Sequence, residues 1–254
     1  MRLDTNRLKR ILRNYERLPE VMRCRRHTRQ WHRLFAGYCG LNTSLPFEIE
    51  IPSGKFEFLE ASDIATFWQI FYRNVYPVFS SDKLVIDAGA NIGVFSLYAL
   101  SSAPCRVIAI EPAPDSCGRI TALLRSHGVD ARCELHQAAL GDHVGQTTIQ
   151  LGAGSQFRRT GIAGQHVVKM VTLDMLIPPG EQVDLLKLDI EGAEGPVVAA
   201  LTPRSLSQIQ RIVMEFHPEA GADRAIERLK SHNFRLAHYQ DDGGGYGMAA
   251  FDRK

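Results

Sequence analysis

Hydrophobic and polar positions along this chain change period more than once. Residues 3 to 37 scatter Leu, Ile and Trp among Arg and Lys and read as one or two basic helices, broken near Pro19. Apolar residues then alternate strictly on either side of Pro52-Ser-Gly-Lys55, from Phe47 to Leu59, which predicts a β-hairpin. Aromatics at helical spacing from Asp63 to Val78 predict a further helix, whose apolar residues are assigned to packing. From Leu84 onward short apolar runs alternate with helical ones. Strands are expected at 84–87, 106–111, 133–137, 183–189 and 211–216, with helices at 94–102, up to about 127, 195–201 and 223–232. A short extended segment is expected at 147–151, and the Gly-rich stretch 152–168 reads as a loop. Residues 234–240 and 247–252 form a closing hairpin across Asp241-Asp-Gly-Gly-Gly-Tyr246.

Strands alternating with helices give an α/β fold: a doubly wound, mostly parallel, seven-stranded, Rossmann-like sheet with an N-terminal helical arm and a β-hairpin. The expected division is 1–45 as a basic helical arm, 46–80 as hairpin and helix covering the core, and 81–254 as the main ligand-binding domain. A length of 254 residues allows one large domain with an appended arm.

Charge changes this picture at one end. Residues 1 to 33 hold 11 Arg and Lys against Asp4, Glu16 and Glu20, a balance of +8, so the remainder carries −6 of the net +2. The arm reads first as a solvated helix packing its apolar residues, with a weak contact to a membrane surface, nucleic acid or an acidic partner as the alternative. No stretch approaches the roughly 18 to 20 consecutive apolar residues of a membrane span, and basic residues interrupt any secretory signal core. A cytoplasmic location is therefore expected. Five cysteines with no C-x-x-C pair argue against both a zinc site and a disulfide framework.

The chemistry concentrates at strand ends. Val85-Ile-Asp-Ala-Gly-Ala-Asn-Ile-Gly-Val-Phe95 joins a strand directly to a helix. Gly89 and Gly93 allow a sharp turn and a close backbone approach, and the helix start offers free N–H groups. Asp87 either organises this loop or reaches a ligand through water. Dinucleotide sites carry G-x-G-x-x-G, and here Asn91 stands roughly where the middle glycine would admit a pyrophosphate. Ile108-Ala-Ile-Glu-Pro112 ends the next strand with a carboxylate 24 residues after Asp87, placed to accept hydrogen bonds from a ribose diol. The pair points to a nucleoside-bearing cofactor.

With these blocks in view, the chain resembles the FkbM family of class I methyltransferases, whose members mostly methylate oxygens of sugars and polyketides. The likeness rests on Val85–Ser96, Ala109-Ile-Glu-Pro-Ala-Pro-Asp115, Ala138-Ala-Leu-Gly-Asp142, Thr172-Leu-Asp174 and Leu186-Lys-Leu-Asp-Ile-Glu-Gly-Ala-Glu194. It spans about residues 84 to 217 and leaves 1 to 45 outside. The resemblance implies S-adenosyl-L-methionine as donor and S-adenosyl-L-homocysteine as product. It places Gly89, Ala90, Asn91 and Gly93 at the methionine side, Glu111 and Pro112 at the ribose, and Gln137 and Ala138 near the adenine. Asp189 then faces the reacting centre, with Asp87 completing the cofactor set.

A hydroxyl acceptor needs a positioned base. Asp189, Glu191 and His217 are the catalytic candidates, with Glu215 beside them; capping the strand end before Pro218 is the alternative for His217. Lys187 faces away from Leu186 and Leu188 and is assigned an acidic partner without a catalytic role. Asp189, Glu191 and Glu215 could gather Mg²⁺, but their spacing does not demand it, and no metal is expected. Arg158, Arg159 and His166 in the 152–168 loop would suit an anionic acceptor if that loop closes as a lid. The leading expectation is an O-methyltransferase acting on a hydroxyl of a sugar, glycan or polyketide-like natural product. The alternatives are an RNA ribose methyltransferase, disfavoured with nucleic acid generally, and a non-catalytic donor-binding module.

Overall fold

In the computed structural model of the chain, residues 17–41, 43–149, 166–217 and 221–254 are described. Most of the 152–168 loop, with Arg158 and Arg159, lies outside the described residues, as do the first half of the basic arm and Pro218. The chain divides into two compact units, one ending at Val75 and one starting at Tyr76.

The first unit contains α1 (Leu18–His27), α2 (Trp31–Tyr38), the hairpin β1 (Phe47–Ile51) and β2 (Gly54–Phe58), and α3 (Ala61–Trp68). Pro19 falls in the first turn of α1, where its missing N–H has no partner to lose. The hairpin pairs Phe47 with Phe58 and Ile51 with Gly54, so the alternation buries Phe47, Ile49, Ile51, Phe56 and Phe58 on one face. Buried Asp63 starts α3 by accepting the backbone N–H groups of Leu59 and Glu60 at 2.9 and 3.1 Å. The helix continues as a π turn, Gln69–Arg73, and stops at Asn74 in the left-handed region, φ 57°. Phe67, Trp68 and Tyr72 lie in the aromatic core this produces.

The second unit runs β3 (Leu84–Ala88), α4 (Val94–Ser102), β4 (Arg106–Ile110), α5 (Pro114–Ser126), β5 (Cys133–His136), β6 (Ala139–Leu140), β7 (Gly145–Ile149), β8 (His166–Val171), β9 (Leu185–Leu188), α6 (Glu194–Ala200), α7 (Pro203–Gln208), β10 (Arg211–Phe216), α8 (Ala222–Ser231), β11 (Phe234–Gly243) and β12 (Tyr246–Arg253). Seven strands form the main sheet in the order β11-β12-β10-β9-β3-β4-β5. The five strands from β10 to β5 are parallel, and β12 and β11 run antiparallel at one side. Every residue of β3 and β9 is buried, as expected for central strands covered on both faces. After β3 the chain moves outward through β4 and β5, then returns to lay β9 on the other side of β3. That reversal opens a crevice at the carboxyl ends of β3 and β9, where ligands bind in open α/β sheets.

One expectation needs correcting. The described end of the 152–168 loop belongs to β8, which pairs with β6 and β7 in a separate three-stranded sheet. The sequence His-Val-Val-Lys-Met-Val satisfies its strand only through pairing with Gly145–Ile149, a partner that local composition does not reveal. Helix α7, capped by the Thr202 hydroxyl accepting from Ser205 N at 3.2 Å, is also additional to the sequence reading. No helix among the described residues is long and apolar enough to cross a membrane.

Candidate functional site

The loop between β3 and α4 is shaped by three left-handed residues: Gly89 (φ 80°), Asn91 (φ 51°) and Gly93 (φ 86°). Its backbone is tied to the neighbouring strand, since Gly89 N and Ala90 N both donate to Ile110 O at 3.0 Å. Gly89 is required by the chain itself: a Cβ there would lie 1.8 Å from the carbonyl oxygen of Asp189. Gly93 meets Ile120 of α5 less severely, with 3.1 Å from a Cβ position to the side chain. The glycines therefore let the loop pack down between β9 and α5, which sets the depth of the crevice. Asn91 differs, because its side-chain Oδ1 is buried and has no hydrogen-bond partner. A buried orphan acceptor of this kind calls for a donor.

Beneath the loop, Asp87 is fully buried and accepts from Ser96 Oγ at 2.7 Å and Lys187 Nζ at 3.0 Å. Of the two roles left open for Asp87, its carboxylate performs the organising one. Asp87 and Lys187 are direct partners in the β3–β9 register, which is why alternation puts the lysine on the acid. The same ammonium donates to Gly89 O at 2.6 Å and lies over the rings of Tyr76 and Phe95. Burial pulls the Lys187 pKa down, but Asp87 and Asp189 outweigh it, and the group stays charged above its ordinary value.

Glu111, at the end of β4, is buried and holds the loop from the other side. Oε2 accepts Asn91 N at 2.9 Å and Oε1 accepts Ala113 N at 3.0 Å. These two bonds fix the orientation of the carboxylate. Pro112 follows at partial exposure, and Gln137, past the end of β5, is exposed. Gln137 also lines an open surface cavity of about 490 Å³ with Pro114, Cys117, Thr121 and Arg125. Ala90 and Ala138 are buried, and the side chain of Ala138 belongs to the main core.

A second constellation forms where β9 and β10 end. Asp189-Ile-Glu-Gly-Ala-Glu194 turns sharply, with Glu191 at φ 57° and Gly192 at φ 108°. Fully buried Glu194 holds that turn by accepting Ile190 N at 2.9 Å and Gly192 N at 3.0 Å. Its Oε1 also meets His217 Nδ1 at 3.1 Å, so the acid orients the imidazole. His217 Nε2 then lies 3.4 Å from Glu191 Oε2, and the Tyr246 ring stands edge-on to the imidazole. Asp189 accepts the Tyr76 hydroxyl at 3.2 Å and has Lys187 Nζ at 3.9 Å.

The electrostatics reflect five carboxylates, Asp87, Asp189, Glu191, Glu194 and Glu215, converging on two cations, Lys187 and His217. Burial and the charge of Asp189 push Glu215 up to about 7. Burial raises Asp189 as well, against the pull of Lys187. Desolvation alone would lower His217, but Glu194, Glu191 and Asp189 carry it up to about 9. Burial holds the Tyr76 phenol well above its ordinary value.

The three catalytic candidates are thus brought together: one ligand-type atom each from Asp189, Glu191 and His217 lie within 4.8 Å of one another. This trio is the catalytic grouping expected from the sequence, and it differs only from the set weighed there for Mg²⁺, in which Glu215 stood in place of His217. Two members went unassigned. Glu194 stood in the quoted Asp-Ile-Glu-Gly-Ala-Glu block, and its spacing three residues after Glu191 is the signal that could have marked it. Tyr76 falls in the aromatic run 63–78 that the sequence assigns to packing, and nothing in that run marks it for the site.

Residues 87–236 match the family described as Methyltransferase FkbM domain. AMB antimetabolite synthetase AmbE of Pseudomonas aeruginosa is 28% identical over 248 residues, covering 76% of this chain; the chain spans only 12% of that relative's length. Methyltransferase 1 of Beauveria bassiana is 27% identical over 205 residues, 68% of this chain and 82% of that protein. The 31-O-demethyl-FK506 methyltransferase FkbM of Streptomyces tacrolimicus is 28% identical over 196 residues, 62% and 75% of the two chains.

Proposed function

The chain belongs to the FkbM methyltransferase family, and on that premise we propose that it is an O-methyltransferase using S-adenosylmethionine on a hydroxyl of an uncharged small molecule, a sugar, glycan or polyketide-like natural product. The observation that carries the donor assignment is the orphaned Asn91 Oδ1, buried in a left-handed loop at the switch point of the sheet. An ammonium group of the donor's methionine portion would satisfy it, and the Glu111 carboxylate would take the ribose hydroxyls. When bound, S-adenosylmethionine supplies an electrophilic methyl group on a sulfonium.

The chain's own residues then have three tasks. Lys187 and Glu111 hold the donor loop rigid by its carbonyl and N–H groups. Asp189, Glu191 and His217 orient the acceptor hydroxyl, and one of the two carboxylates takes its proton, a contribution of roughly 10²- to 10⁴-fold, because His217, carried up to about 9, already holds a proton at neutral pH. Glu194 and Tyr76 keep those groups in place. The excess of carboxylates supports a neutral acceptor over a phosphorylated one. The same repulsion counts against RNA ribose methylation, where phosphates flank the target.

Isothermal calorimetry with S-adenosylhomocysteine, using NAD as the control ligand, tests the donor. Micromolar binding of S-adenosylhomocysteine alone is expected, and its absence in folded protein would withdraw the assignment. Glu111→Ala removes charge-assisted hydrogen bonds and should weaken that binding about 10- to 100-fold. Asp189→Asn should lower kcat about 10²-fold or more on an active acceptor while donor affinity changes about threefold at most. Equal losses in both would make Asp189 a binding residue.

A further inference from the structure

Sequence reasoning expected plain hydrogen-bonding carboxylates, with no metal ion, at the ends of β9 and β10. The side chains point elsewhere: we propose that Asp189, Glu191 and His217 form a divalent-cation site, with one carboxylate oxygen from each acid and Nε2 of the imidazole as ligands. The site stands on these side chains alone; its part in methyl transfer rests on the function proposed above.

Convergence is the first argument. The three ligand atoms lie within 4.8 Å of one another. Ligands at about 2.0 to 2.2 Å from a common ion sit at most about 4.4 Å apart, so a small rotation closes the set. Glu191 is half-buried, so its carboxylate is reached from solvent. The second argument is the imidazole. His217 is buried, its Nδ1 is engaged by Glu194, and its Nε2 faces Glu191 Oε2 at 3.4 Å, so a dication binding there takes the place of the ring proton that this ion pair holds. Metal-ligating histidines almost always give their other ring N–H to a carboxylate or carbonyl in this way, which fixes the tautomer and raises basicity. Glu194 is itself locked by Ile190 N and Gly192 N, so the imidazole is held before any ion arrives.

Donor chemistry narrows the ion. Two carboxylates with one imidazole suit Mn²⁺ or Mg²⁺ better than the thiolate-preferring metals, and a lone imidazole is a poor partner for Na⁺ or K⁺. Three protein ligands leave further positions for water and the oxygens of an acceptor. A dication there would polarise an acceptor hydroxyl and stabilise its deprotonated form. It would also offset the surplus of carboxylates around Lys187 and His217.

The full chain, stripped with EDTA, is titrated with MnCl₂ while the electron paramagnetic resonance signal of free Mn²⁺ is followed. One Mn²⁺ per chain is expected, displaced by excess Mg²⁺. His217→Ala and Glu191→Gln should each weaken binding about tenfold or more, and Glu194→Gln about 10- to 100-fold through loss of the histidine's anchor. Glu191→Gln alters a half-exposed side chain and keeps the test usable if either buried variant fails to fold. No uptake at about 1 mM Mn²⁺, or undiminished uptake by the folded Glu191→Gln and His217→Ala proteins, overturns the site. Calorimetry with S-adenosylhomocysteine on the same samples separates the questions: Mn²⁺ binding without donor binding keeps the metal site and removes the donor assignment.

Discussion

Gly89→Ala should lower the free energy of unfolding by about 3 to 5 kcal/mol, a large share of the roughly 5 to 15 kcal/mol that holds an ordinary domain together. The added Cβ would stand 1.8 Å from Asp189 O, a backbone atom that can retreat only if the end of β9 moves. Strain at φ 80° adds about 1 to 2 kcal/mol for any residue with a Cβ. Because Asp189 is the displaced residue, the damage reaches the second constellation as well as the donor loop. Urea unfolding followed by circular dichroism gives the stability, and calorimetry gives the affinity for S-adenosylhomocysteine. Gly128→Ala is the matched control, also left-handed at φ 65° but with nothing within 4 Å of its Cβ, and should lose only about 1 kcal/mol. Equal effects at the two positions would mean that the contact between the loop and β9 is not what fixes Gly89.

Lys187→Met should be as damaging for a different reason. Asp87 and Lys187 form a buried pair, with side-chain exposures of 0% and 4%. Removing one partner of such a pair strands the other charge and typically destabilises by about 3 to 5 kcal/mol. Ser96 Oγ would remain as a partner of Asp87, and Gly89 O would lose the Nζ donor. Replacing both members by apolar residues avoids the stranded charge, so Lys187→Met with Asp87→Leu should be more stable than Lys187→Met alone. The double variant still lacks the tie on Gly89 O, and its affinity for S-adenosylhomocysteine should stay low even where stability returns. A double variant no more stable than Lys187→Met would show that charge pairing is not the main function of the lysine.

The parts of this protein legible in its sequence are those where a local pattern and a global position agree. Val85 to Gly93 shows a strand, a left-handed turn and a helix start within a few residues, and the strand, turn and helix stand where the pattern puts them. Alternation in Leu-Lys-Leu gave Lys187 its acidic partner, although not which acid. Gly89 makes the sharp turn expected of it, φ 80°, and its close approach to Asp189 O is one that no local pattern could reveal. Glu194 stands in the Leu186–Glu194 block without a role that local pattern could assign; only the arrival of β10 beside β9 puts His217 on it. Tyr76 reaches Asp189 by tertiary placement alone. Strand β8 was lost for the same reason, since its partner β7 lies across the Gly-rich stretch.

The position of β9 beside β3 also has a consequence for the timing of synthesis. Strands β3, β4 and β5 leave the ribosome early and can pair with one another, but the other edge of β3 is covered only by β9. Lys187, which ties down Gly89, and Asp189, which packs against it, arrive with that late strand. Until then Asp87 has no ammonium beside it and the central strand presents an open edge, the kind of surface on which nascent chains associate wrongly. The contacts of β9 that fix Gly89 therefore form only after residues 185–189 have been made.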